Sequence, residues 1–147
     1  MRSDLIKAKE LLGSGHACAV CGNGIAVSFD GRGIAPLLDA VTHLGNFSGY
    51  TVCDKVIGSA AAFVLMEACA KEVYANTVSR RAVSLLLSAG ITVSYGNITD
   101  FIKNRRGDDL CPMEKKALEM NCADGAYRIF TARLKELQND NHSKNQN

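Results

Sequence analysis

Cys18-Ala19-Val20-Cys21 is the first stretch whose residue types and spacing could do chemistry, since a C-x-x-C is half of a zinc site. In an extended strand its two thiols fall on opposite faces. The chain has no second C-x-x-C, and His16, His43 and His142 are scattered away from any carboxylate pattern. Packed thiols are therefore expected at Cys18 and Cys21, with metal binding by the pair as the competing reading. Cys111 precedes Pro112 at a helix start, where the helix dipole can lower a thiol pKa and make a nucleophile. The bland alternative is an ordinary helix start, with Cys111 capping weakly and Glu114 complementing the dipole in the first turn.

Asp54 lies in Tyr50–Ile57, a run otherwise apolar enough to be buried, and a carboxylate in such a place needs partners or a task. Its neighbour Lys55 falls on the opposite face by strand alternation and becomes a rim charge. Gly58-Ser59 then opens a helix. Ser59 can cap its first turn, Gly58 lets the backbone approach something closely, and the bare N–H groups favour an anion. Gly31-Arg32-Gly33 also precedes a helix and could hold an anion through backbone amides and the guanidinium, or could be glycine-flanked for conformational reasons alone. Ser79 occupies a comparable helix start further on. Together these residues predict a ligand site where Arg32, Gly33, Asp54, Lys55, Gly58, Ser59, Ser79 and Cys111 converge.

The elements that must position them follow from periodicity and breakers. Residues 4–12 form an amphipathic helix with Ser3 as its cap, stopped by Gly13-Ser14-Gly15. Two short apolar runs, 16–21 and 25–29, flank Gly22-Asn23-Gly24, which is a hairpin signal. A helix over 34–44 carries Pro36 in its first turn. Then come a strand over 50–57, a helix to about Cys69, a strand over 72–78, a helix over 79–89 closed by Gly90, and a short strand over 91–95. Residues 101–109 are polar and predict a loop over one edge; helices over 112–120 and 124–137 follow. A hairpin succeeded by alternating strands and helices predicts an α/β protein, a three-layer α/β/α sandwich with a mixed sheet.

With 147 residues, 47% of them hydrophobic, and a net charge of +2, the chain predicts one domain over residues 1–138 and a disordered polar tail over 139–147. Arg80-Arg81 and Arg105-Arg106 are isolated pairs, read as solvated loop charges, which argues against nucleic acid as a partner. The start of the chain alternates charges without an apolar core, and no run of about 18 apolar residues could span a membrane. A cytoplasmic location with six reduced cysteines is expected.

The segments FDGRGIAPLLDAV, CDKVIGSAAA, KEVYANTVSRRAVSLLLSAGI and CPMEKKAL resemble a small prokaryotic family of uncharacterised proteins with a cytidine deaminase-like fold. The resemblance covers residues 3–120. Zinc deaminases carry H/C-x-E at one helix start and P-C-x-x-C at the next, which gives three ligands and leaves one position for water. At the corresponding places this chain has Ser59-Ala60-Ala61 and Val78-Ser79-Arg80-Arg81, so the resemblance implies the fold without the metal or zinc-dependent deamination. The expectation is a protein of uncharacterised activity that needs no cofactor. It would bind a small anionic or nucleotide-like molecule at helix N-termini, and self-association is a further expectation from related folds. An enzyme using Cys111 as nucleophile is the alternative.

Overall fold

The computed structural model describes the backbone of residues 2–145 and the side chains of residues 3–140. Helix α1 (Arg2–Gly13) leads into a hairpin of β1 (Cys18–Gly22) and β2 (Ile25–Phe29). Asn23 and Gly24 both take positive φ, 49° and 79°, and Gly22 pairs with Ile25 across a two-residue turn. This is the turn geometry whose twist matches that of paired strands. Helix α2 (Ala35–Leu44) follows, then β3 (Thr51–Ile57), α3 (Ser59–Glu67), β4 (Glu72–Ser79), α4 (Arg80–Ser88), β5 (Thr92–Thr99), α5 (Pro112–Leu118) and α6 (Ala126–Asn145).

The five strands form one sheet in the order β2-β1-β3-β4-β5. β1 is antiparallel to both β2 and β3, while β3, β4 and β5 are parallel, so the sheet is mixed. Alternation along the strands divides the core. Ala19, Cys21 and Cys53 face α1 and pack with Ala8 and Leu12. Cys18, Val20 and Val52 face the other way, into a larger core shared with α2, α3, α4, α5 and α6. The result is the expected α/β/α arrangement, with α1 alone on one face.

α3 is the middle of the larger layer, with Ser59 through Leu65 all buried. A helix that is apolar all round needs neighbours on every side, and side chains tie those neighbours to it. Glu67, at its end, accepts hydrogen bonds from the amides of Gly125 and Tyr127 (2.8 Å for Tyr127) at the start of α6. Arg81 donates to the Ala117 and Met120 carbonyls, 2.9 and 3.1 Å away at the end of α5, and its guanidinium lies 5.5 Å from the Phe63 ring centre.

Several boundaries differ from the sequence expectations. Ser3 sits inside α1 and does not cap it. β5 runs to Thr99, beyond Tyr95, because parallel pairing with β4 continues to Ser79↔Thr99 and overrides the weak strand preference of Gly96 and Asn97. α6 continues as helix through Asn145, into the polar segment expected to be disordered; residues 146 and 147 lie outside the described residues, as does the side chain of His142. No helix among the described residues is long and apolar enough to cross a membrane.

Candidate functional site

A cleft of about 1040 Å³ opens at the carboxyl end of β3. Its walls come from Ala17 before β1, the 31–34 turn, residues 54–56 of β3, the start of α3, the 102–106 loop, the start of α5, and Leu134 and Leu137 of α6. Position is set by the sheet: Asp54 pairs with Cys18 on one side and Ala75 on the other, at the centre of five strands. It shares the face of Val52, so its carboxyl points into the larger layer.

Asp54 is only 6% exposed. Burial pushes its carboxyl from an ordinary value of 3.8 up to about 7, against the opposing pull of the Val56 and Lys55 amides and the Lys55 charge. The Val56 amide donates to Oδ1 over a long 3.4 Å. Such a group exchanges its proton near neutrality, so it can donate a hydrogen bond to a ligand oxygen, accept one from a ligand N–H, or serve as a general acid or base.

Glu114 accounts for the start of α3. Its carboxylate is buried and accepts hydrogen bonds from the Ser59 amide on Oε2 and the Ala60 amide on Oε1, both at 3.0 Å. Gly58 is the N-cap residue and makes the contact possible, because a Cβ there would lie 2.6 Å from Glu114 Cδ and 2.8 Å from Ile102 Cγ1. Gly58 does permit a close approach, and the group that approaches is the protein's own carboxylate. This corrects three expectations. Ser59 does not cap α3, the Ser59 and Ala60 amides are not bare, and Glu114 serves the dipole of α3 across the fold in addition to sitting in the first turn of α5.

Of the remaining predicted residues, the structure brings Arg32, Gly33, Lys55, Gly58 and Cys111 into the cleft with Asp54. Cys111 is half-buried, and its amide donates to the Ile102 carbonyl at 3.0 Å. Ser59 is buried beside the cleft without lining it. Ser79 lies elsewhere: its hydroxyl caps α4 by accepting from the Ala82 amide at 3.2 Å. Cys18 and Cys21 are buried on opposite faces of β1, so one ion cannot take both. Burial, followed by the Asp54 and Cys53 charges, holds the Cys18 thiol well above its usual range. Among the described residues no three His, Cys, Asp or Glu side chains converge as metal ligands.

Residues 101–109 form a loop as expected, but sequence reasoning missed that residues 102–106 line the cleft. The loop crosses the cleft and adds Lys103, Arg105 and Arg106 to Arg32 and Lys55 at the rim. None of these five cations forms an ion pair among the described residues. The loop is held by a bridge between Lys103 and Leu110 and by the Asn104 amide donating to the Asp109 carbonyl at 2.8 Å. The reach of Glu114 to α3 was missed as well, although helical spacing places it beside Met113 and Ala117 on the buried face of α5.

No functionally curated protein matches the chain. The solved structure of the DUF1893 family protein TM1506 from Thermotoga maritima is similar, with a TM-score of 0.82 over 90% of this chain and 91% of that one. At 24% identity that likeness shows the fold alone. The family model TM1506, a domain of unknown function designated DUF1893, matches residues 7–134. By that match, which spans both the sheet and the cleft, the chain belongs to the DUF1893 family.

Proposed function

We propose that the protein is a cytidine deaminase-like fold without zinc that binds a small anionic or nucleotide-like molecule in the cleft above β3. The observation that carries this reading is Asp54, a buried carboxyl at the floor of a cleft whose rim holds five cations without ion-pair partners among the described residues. A buried acid with weak partners stabilises nothing by itself, and strongly perturbed acids in clefts are the usual mark of a site. The sheet order and the two helix starts after β3 and β4 support the fold assignment, with Ser59-Ala60-Ala61 and Val78-Ser79-Arg80-Arg81 standing where metal-binding residues would be. Six free cysteines accord with a reducing, cytoplasmic setting.

Thermal-shift titration with pyrophosphate and with nucleoside monophosphates tests the reading. Saturable stabilisation that is weakened by Arg32→Ala and altered by Asp54→Asn is expected. A panel that leaves Tm unmoved in both the protein and its Asp54→Asn variant removes the basis for a ligand site.

A second reading rests on Cys111, whose thiol shares the cleft with Asp54. In it, the protein is an enzyme with Cys111 as nucleophile and Asp54 as the proton acceptor. Preferred alkylation of Cys111 at neutral pH, ahead of the more exposed thiols, is its signature.

A further inference from the structure

We infer that the cleft is built for an organic anion with an apolar body, such as an aryl phosphate or aryl carboxylate, and prefers it over a hexose phosphate. The inference rests on the binding role proposed above and specifies the ligand's chemistry. Between the charged rim and Asp54 the walls are Ile34, Val56, Ile102, Met113, Leu134 and Leu137. Val56 stays 46% exposed near the carboxyl end of the central strand, beyond Val52 and Asp54, which are buried on the same face. A contiguous apolar lining in a concave site is the usual setting for an apolar ligand surface.

The polar groups below the rim decide against a sugar. Glu114, the other carboxylate of the cleft, is buried and already accepts one hydrogen bond on each oxygen, from the amides of Ser59 and Ala60. Among the described residues that line the cleft, Asp54 is then the buried charged side chain with the most capacity left for a ligand's polar groups. A hexose would carry several hydroxyls into this lining and leave most of them without partners, and each unmatched hydroxyl costs binding. An aromatic ring has no such demand. It would bury its surface against the aliphatic walls while its anionic end stays among Arg32, Lys55 and the 103–106 cations, where charges are complementary.

Titration with 1-naphthyl phosphate, glucose 6-phosphate and 1-naphthol, followed by calorimetry and thermal shift, tests this. The naphthyl ester is expected to bind at least about tenfold more tightly than the sugar ester, as apolar burial of a bicyclic ring implies. 1-Naphthol is expected to bind much more weakly than its phosphate. Val56→Asn, at a site exposed enough to keep the fold, is expected to shrink the preference for the naphthyl ester several-fold, by weakening the naphthyl ester and by offering a polar partner to the sugar. Ile34→Asn provides the same readout from another wall. Equal affinity for the two esters overturns the inference and leaves the anion-binding role standing. Equal affinity for 1-naphthol and its phosphate overturns the anionic part, and silence from all three overturns the inference, while the pyrophosphate and nucleotide titrations decide the underlying role separately.

Discussion

Glu114 and Gly58 are fitted to one another across the fold: the carboxylate on α5 reaches the amides of Ser59 and Ala60 at 3.0 Å because position 58 carries no side chain. The start of α3 is thereby capped from outside its own segment. The contact also fixes α5, and with it the wall that carries Cys111, against the end of the central strand.

Gly58→Ala is expected to destabilise the protein by about 2–3 kcal/mol, since the added methyl meets the Glu114 carboxylate and Ile102 in a packed interior. Glu114→Ala leaves two buried amides without acceptors and is expected to cost about 2–4 kcal/mol. Glu114→Gln keeps one carbonyl oxygen and should recover part of that loss. Urea denaturation measures all three; midpoints equal to the parent protein's would refute the capping role.

Asp54 makes stability depend on pH in a direction opposite to that of a salt-bridged carboxylate. Its folded pKa of about 7 lies above the ordinary 3.8, so between those values the native state holds a proton that the unfolded chain has released. Stability contributed through this group is fully present below about pH 4, falls as pH rises to about 7, and is level above that. Asp54→Asn removes the dependence. It is expected to exceed the parent in stability by about 2–4 kcal/mol at pH 8, with the gap closing toward pH 4. A constant gap across that range, measured by urea unfolding, contradicts a raised Asp54.

The thiols should separate into three classes under alkylation of the folded protein. Cys69 and Cys122 are exposed, Cys111 is intermediate, and Cys18, Cys21 and Cys53 are buried. Burial pushes Cys53 up to about 12, which further suppresses its thiolate. Mass spectrometry after brief iodoacetamide treatment should find Cys69 and Cys122 modified first and the buried three only after unfolding. Cys111 overtaking the exposed pair favours the nucleophile reading, and Cys111 lagging them counts against it.

Arg81→Lys is expected to behave almost like Arg81→Ala, each costing about 1–3 kcal/mol. A lysine cannot serve both the Ala117 and Met120 carbonyls with the same fork while lying over Phe63. Full rescue by lysine in a denaturation series would show that charge alone matters there.

What the sequence determined by itself was what near neighbours decide. Asn23-Gly24 specified the hairpin because two consecutive positive φ values are a local requirement. Strand alternation sent Cys18 and Cys21 to opposite faces, and the apolar run around Asp54 marked that carboxylate as buried. Gly58 signalled a close approach without naming its partner. Tertiary structure alone decided that the partner is Glu114, since that contact depends on how α5 packs on α3 after two intervening strands have joined the sheet. It likewise decided the fate of Arg105 and Arg106, which read as a solvated pair in a polar loop. They become part of the cleft's rim because the loop folds back across the carboxyl end of β3, a path set by the Lys103–Leu110 bridge and absent from any local pattern.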